Sequence, residues 1–436
     1  MALPHTRTPS LLIAPIRHLL RATVRVPGSK SLTNRALALA ALADGTTTLT
    51  NALFSDDSQY FADSLKRLGF TVGAQHVAPL QTITIHGLGG HIPSPRAELF
   101  VGNAGTAARF LTAFVALGHG DYTIDGVERM RQRPIGDLID ALKQLGVDVE
   151  SLTGCPPVTV RASGLKGGIT RVAGDTSSQF LSALLITAPY AESPVEIIVE
   201  RELNSKPYVD MTIAIMADFG VTVERDGYER FRITPQRYHA LSEYAIESDA
   251  SAASYFFAAP AICGGTVRVQ NISRRSKQGD IAFLDVLARM GCTVAEGDDW
   301  IEVVGATSQS PLQGVDVDLR DIPDTAQTLA AIAPFAASPA TIRGIASARV
   351  KETDRVAATC AELRRLGVTV EEYPDGLKIY PCSQIQPAEI HTYDDHRMAM
   401  AFALVGLRVE GVTILDPGCV SKTFPNYFEV VESLNH

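Results

Sequence analysis

The sequence predicts an α/β protein of two domains, each made of three copies of one repeated unit with apolar helices inside and sheets outside. Three observations predict it. A turn rich in Ser, Thr, Asp and Asn, followed by a run of small apolar residues, returns six times along the chain. Five times a Leu, Phe or Met followed by Gly ends an amphipathic stretch and leads into a strand-forming residue. The chain has 436 residues and is 46% hydrophobic, enough for two full cores, and six units divide most simply into three plus three.

The units open at Lys30-Ser31-Leu32-Thr33-Asn34-Arg35, Asn103-Ala104-Gly105-Thr106-Ala107, Asp175-Thr176-Ser177-Ser178-Gln179, Glu247-Ser248-Asp249-Ala250-Ser251, Pro323-Asp324-Thr325-Ala326-Gln327 and Asp394-Asp395-His396-Arg397-Met398, about 71 to 76 residues apart. Each opening runs into a stretch such as Ala36 to Leu42 or Phe180 to Ile186, and a helix apolar on every side is buried on every side. A second helix per unit is amphipathic: from Ala357 to Leu366, Arg364 and Arg365 adjoin the buried-looking Leu363 and Leu366. Leu68-Gly69-Phe70, Leu145-Gly146-Val147, Phe219-Gly220-Val221, Met290-Gly291-Cys292 and Leu366-Gly367-Val368 mark where these helices stop, because Gly accepts the left-handed turn that follows a helix. The sixth such stop is missing. Leu11 to Val26 is therefore expected to supply the strands that complete the last unit. Seams are expected near Ala245 to Ser248 and at Pro27-Gly28, giving one continuous domain, 29–246, and one assembled from 1–28 plus 247–436.

Composition excludes several function classes. A net charge of −9 leaves no face-wide basic excess for nonspecific nucleic-acid binding, so any anion site must be locally basic. The six cysteines show no metal-ligand spacing and sit mostly in apolar runs, which reads as reduced, buried thiols in a cytoplasmic protein. No segment approaches the ~20 apolar residues of a membrane span. Residues 1 to 28 lack acids and carry Arg7, Arg17, Arg21 and Arg25, as a transit peptide would, but most of that stretch is needed for the sixth unit.

The buried helices begin at the unit openings. Helix starts carry unpaired N–H groups and a partial positive charge, so several of them meeting at one place form an anion site. Basic residues concentrate at the same points: Lys30 and Arg35, Arg129, Arg131 and Arg133, Lys351 and Arg355, Arg397, and Lys422. Any single Lys or Arg reads by default as a solvated charge. Lys30 and Arg397, each directly before an apolar helix, do not fit that default, whereas Arg129 and Arg131 do. Ser177-Ser178-Gln179 reads equally as an N-cap cluster or as a phosphate cradle. Lys351 to Arg355 reads as a charged helix turn with local ion pairs or as part of a site, and His396 as a capping or core histidine or as a ligand.

Eight ordered stretches resemble the 5-enolpyruvylshikimate-3-phosphate synthase family across essentially the whole chain: Pro27 to Ser31 with Asn34-Arg35, Gly102 to Thr106, Arg133-Pro134-Ile135, Ser177 to Phe180, Ser205 to Tyr208, Arg349 to Arg355, Asp395 to Ala399 and Lys422 to Pro425. The resemblance implies six βαβαββ units forming a two-domain inside-out α/β barrel with the active site in the interdomain cleft. It also implies transfer of the enolpyruvyl group of phosphoenolpyruvate to the 5-hydroxyl of shikimate 3-phosphate, with release of phosphate, no metal and no cofactor. Glyphosate is expected as an inhibitor, and the protein as a monomer with no nucleic-acid or membrane partner.

Carried over motif by motif, the resemblance assigns Lys30, Gly105, Thr106, Arg133, Gln179, Arg355, His396, Arg397 and Lys422 to phosphoenolpyruvate. It assigns Lys30, Ser31, Arg35, Ser177, Ser178, Gln179, Ser205, Tyr208, Asp324, Ser347 and Lys351 to shikimate 3-phosphate. Ser347 stands where relatives often have Asn, and Phe110 replaces a common Pro, which is expected to shift its helix slightly. The implied chemistry needs a base for the 5-hydroxyl and an acid for the methylene of phosphoenolpyruvate, followed by loss of phosphate from a tetrahedral adduct. Asp324 and Glu352 fit the two proton transfers in either order, with Lys30 as cationic partner or donor to the leaving phosphate. The alternative is the UDP-N-acetylglucosamine enolpyruvyl transferase, which usually carries a loop cysteine where this chain has Glu128. A catalytically dead scaffold of the same fold is a third reading, opposed by the intact Lys30, Asp324, Glu352 and Lys422.

Overall fold

Side-chain oxygens at the unit openings start the helices. Ser29 accepts from Leu32 N–H, Ser177 from Gln179 N–H, Asp249 from Ala252 N–H and Asp395 from Arg397 N–H, each satisfying a donor that a helix start leaves unpaired. The computed structural model describes residues 9–77, 80–307 and 309–435; Arg7 lies outside them. The chain divides into two units, Gly28–Glu247 and Met1–Pro27 with Ser248–His436.

In the continuous unit the inner helices are α1 (Lys30–Leu42), α3 (Gly105–Val115) and α5 (Ser178–Thr187), and the outer ones α2 (Asp56–Arg67), α4 (Gly136–Gln144) and α6 (Lys206–Asp218). In the other unit α7 (Ala250–Cys263), α9 (Ala326–Ile332) and α11 (His396–Gly406) are inner, while α8 (Phe283–Arg289), α10 (Arg355–Arg365) and α12 (Tyr427–Glu432) are outer. All of α3, α9 and α11 is buried. The residues of α1 and α5 that reach solvent are Lys30, Ser31 and Gln179, all in first turns. An inner helix of this fold thus meets water almost only where it begins, and there the sequence places polar side chains.

The outer helices end as their glycines require. At Gly291 φ is +104°, its N–H returns to Ala288 O and the next N–H, of Cys292, to Leu287 O, the paired bonds that close a helix on a left-handed residue. Gly69, Gly146, Gly220 and Gly367 end their helices in the same way.

Among the described residues five of the sheets have four strands in one order. In the second unit Arg96–Phe100 lies parallel to His119–Asp125, which pairs antiparallel with Val158–Ser163, and that strand with Asp148–Glu150. Leu99, Tyr122, Ile124, Val149 and Val160 are buried while their neighbours along each strand are more exposed, so each sheet lays one face on helices and the other on solvent. The two hydrophobic cores share no residue.

The N-terminal stretch corrects the sequence expectation. Ser10–Leu12 does join the sixth sheet, pairing with Thr413–Leu415, and among the described residues that sheet has three strands. Leu20–Arg25 instead lies parallel to Gly265–Gln270 in the fourth unit, and Tyr244–Ala245 lies parallel to residues of Asp44–Thr50 in the first. Each crossing of the chain falls between a first strand and the inner helix after it, so the strand stays in the sheet it has already joined. Beside the crossings Ser29 N–H donates to Glu247 O at 2.8 Å, and Asp249 N–H to Pro27 O at 2.9 Å.

Candidate active site

Charged residues at helix starts can be buried only if they are paired. In the unit holding α7 to α12, four cations and three carboxylates satisfy one another this way. Asp324, in the short turn before α9, accepts from Lys351 Nζ at 2.5 Å and Arg355 Nη1 at 3.2 Å through one oxygen, and from Arg397 Nη2 at 2.7 Å through the other. Arg355, the first residue of α10 and 1% exposed, also donates to Glu352 at 2.8 Å and, through Nε at 2.7 Å and Nη2 at 3.1 Å, to Asp395. Lys422 Nζ lies 3.8 Å from Glu352. Burial alone would pull the Arg355 guanidinium down, but the carboxylates of Asp395, Glu352 and Asp324 together hold it above the ordinary arginine value.

Arg349 braces this half by donating to both oxygens of Asp354 at 2.9 and 3.1 Å, which keeps Asp354 as the cap of α10. The cluster concentrates four cations in a protein of net charge −9. An incoming dianion meets donors already desolvated and aimed.

In the unit of α1 to α6, Lys30 opens α1, 3.7 Å from the buried Asp57 of α2. Arg133 lies across the start of α3 and donates from Nη1 to Asn103 O at 2.8 Å and Oδ1 at 3.1 Å. A Cβ on Gly105 would sit 2.4 Å from Arg133 Nη2, so only glycine lets the guanidinium lie there. Arg109, 3% exposed, fixes the Arg133 loop by donating to Pro134 O at 2.6 Å and to Gly105 O at 3.3 Å. Gln179 Nε2 donates to Thr106 Oγ1 at 3.3 Å, joining the starts of α5 and α3. Ser205 holds φ at +57° before Lys206-Pro207, and its carbonyl accepts from the N–H of Tyr208.

Arg35 is used differently from Lys30. It is 2% exposed and donates to Thr212 Oγ1, Ser31 O, Tyr208 O and Ser182 Oγ at 2.7 to 3.4 Å, with its guanidinium 5.3 Å from the Phe110 ring centre. Burial pulls this guanidinium down to about 10. Phe110 therefore forms part of the floor beneath Arg35, and α3 runs unbroken through it.

The structure gathers Lys351, Glu352, Arg355, Arg397, Lys422 and Asp324 in one unit, and Lys30, Ser31, Arg35, Gly105, Thr106, Arg133, Ser177, Ser178, Gln179, Ser205 and Tyr208 around the helix starts of the other. His396 is wholly buried, with Nδ1 3.7 Å from Asp395, and Ser347 is half-buried in a short turn. Arg131 is a surface partner of Asp125. Sequence reasoning missed Asp57, Asn103, Arg109 and Asp395, which hold the cations in place. Asp395 had a signal, since it caps an apolar helix beside Arg397. Asp57, inside a Ser-Asp-Asp-Ser helix start, reads as an ordinary cap. Among the described residues no group of His, Cys, Asp and Glu is arranged to hold a metal ion, and no helix is long and apolar enough to cross a membrane.

Comparison with known proteins gives a consistent result. The family described as EPSP synthase (3-phosphoshikimate 1-carboxyvinyltransferase) matches residues 15–431. The chain is 53% identical over 410 residues to the 3-phosphoshikimate 1-carboxyvinyltransferase of Trichormus variabilis, covering 93% of this chain and 95% of that protein. It is 52% identical over 419 residues to the one from Shewanella sp. strain W3-18-1, covering 95% and 97%. A solved EPSP synthase structure from Acinetobacter baumannii superposes with a TM-score of 0.79 at 24% identity, covering 98% of this chain and 97% of that one, a likeness that shows the fold.

Proposed function

The chain belongs to the EPSP synthase family, and from that premise we propose how its residues carry the reaction. The reaction is transfer of the enolpyruvyl group of phosphoenolpyruvate to shikimate 3-phosphate, with release of phosphate. The matched relatives name the shikimate acceptor and do not favour the UDP-sugar alternative.

Phosphoenolpyruvate is held by Lys30, Arg133, Arg355, Arg397 and Lys422, with Gly105, Thr106 and Gln179 supplying the start of α3 and its neighbour. Shikimate 3-phosphate is held by Ser31, Ser177, Ser178, Gln179, Ser205, Tyr208, Ser347 and Lys351. Arg35 belongs to the same set and, donating to Ser31 O and Tyr208 O, also sets the positions of those two residues. His396 supports Asp395.

The observation that carries this reading is the threefold grip on Asp324 by Lys351, Arg355 and Arg397. An arriving carboxylate or phosphate competes for those donors and turns the Asp324 oxygens toward the 5-hydroxyl, whose proton Asp324 takes. Glu352, between Arg355 and Lys422, exchanges the proton at the methylene carbon. C2 of phosphoenolpyruvate then becomes electrophilic, the 5-oxygen of shikimate 3-phosphate adds, and the tetrahedral adduct loses phosphate as the methyl proton returns to Glu352. Lys30 neutralises the departing phosphate. Glyphosate, with a phosphonate and a carboxylate, competes for the same cations. The enzyme acts as a cytoplasmic monomer.

A phosphate-release assay tests the assignment. Phosphate is expected only when both substrates are present. Release with UDP-N-acetylglucosamine in place of shikimate 3-phosphate would overturn it.

A further inference from the structure

Tyr393 and Asp394 are consecutive non-glycine residues with left-handed backbones, φ +56° and +54°, a conformation that persists only where the surroundings dictate it. They lie directly before Asp395, which caps α11 and receives Arg355. One side chain holds the segment on which they lie. Glu362, in the third turn of α10 and wholly buried, accepts from the N–H of His391 at 3.1 Å and from the hydroxyl of Tyr393 at 2.6 Å. Arg365 Nε, at 3.1 Å, supplies the opposing charge, and Asp395 N–H closes the turn on Thr392 O at 2.9 Å.

A buried carboxylate is tolerated only with its partners in place, and for that reason it fixes them. Helix α10 therefore grips the segment leading into α11 at two points, roughly 10 Å apart along its axis: through Arg355 on Asp395, and through Glu362 on His391 and Tyr393. We propose that Glu362 is a positioning residue for the anion-binding arginines, because it fixes the 391–394 turn and with it the angle at which Asp395 meets Arg355 and caps the helix of Arg397. It touches neither substrate. The inference rests on the assignment of Arg355 and Arg397 to phosphoenolpyruvate.

Glu362→Gln and Tyr393→Phe, the second a change at a partly exposed side chain that keeps the core intact, separate positioning from folding. In both variants the KM for phosphoenolpyruvate is expected to rise, by about three- to tenfold in Glu362→Gln and less in Tyr393→Phe, with kcat and the KM for shikimate 3-phosphate within about twofold of the parent. Hydrogen exchange of the Arg355 Nε–H, followed by nitrogen-15 NMR, is expected to quicken by about tenfold in Glu362→Gln. That readout needs no turnover, so it tests the turn even if the parent protein proves inactive with these substrates, an outcome that would fail the functional assignment alone. A lowered melting temperature in Glu362→Gln with unchanged Arg355 exchange and an unchanged KM would reduce Glu362 to a structural role and overturn the inference.

Discussion

Lys30 and Glu352 face other charged groups, Lys30 the carboxylate of Asp57 and Glu352 the cations of Arg355 and Lys422, where a cation and a carboxylate do more for a reaction than for a fold. Lys30→Ala and Glu352→Gln are each expected to lower kcat by at least ~10²-fold, the usual scale for an acid–base or charge-stabilising group, with circular dichroism and melting temperature near the parent's. Near-normal turnover in either variant removes that residue from the chemistry. Gly105 acts through its neighbour. A methyl there meets Arg133 Nη2 at 2.4 Å and Cζ at 2.9 Å, and Arg133 is anchored on Asn103, so Gly105→Ala must push the guanidinium aside at about 1–3 kcal/mol. The KM for phosphoenolpyruvate is expected to rise, and the competitive inhibition constant for glyphosate, the longer ligand, to rise more. Equal KM values in parent and variant would show that Arg133 does not hold the substrate.

At the scale of elements, the glycine stops decide where outer helices hand over to strands. Gly291 offers the cleanest test, because a Cβ there has only Pro311 O within 4 Å, at 3.8 Å, so an alanine pays for φ +104° and for little else. Gly291→Ala is expected to lower unfolding free energy by about 1–2 kcal/mol, read as a shift of the urea midpoint at constant slope. An unchanged midpoint would mean that the chain relaxes past the helix end. These stops and the six inner-helix starts were legible in the sequence because each depends on local chemistry, a capping oxygen or a missing Cβ. Strand partnership was not legible. Leu20–Arg25 has the same alternation wherever it pairs, and only the position of the chain crossing assigns it to the fourth unit and not the sixth.

Over the whole molecule, a protein of net charge −9 repels anionic substrates except where its cations are gathered. Raising ionic strength from about 0.05 to 0.5 M, which shortens the screening length from above to below ~10 Å, is expected to raise the KM for both substrates by about threefold while kcat changes little. A KM that falls with salt would show that overall repulsion, and not the local cluster, governs binding.

The sixfold repeat, the buried character of six helices and the residue types at their starts follow from sequence alone, because periodicity and capping are properties of neighbours along the chain. So does the reaction, through motifs that resemble one family from end to end. The pairing of those charged residues with one another came from the tertiary structure alone. Lys30, Asp57, Arg133 and Asn103 come from different elements, as do Arg355, Asp395 and Glu362's partners at 391 and 393. Burying a charge forces each to find a partner, and a partner some tens of residues distant leaves no mark in the local pattern, so the bonds from Arg35 to Thr212, Ser182 and Tyr208 are seen only in space.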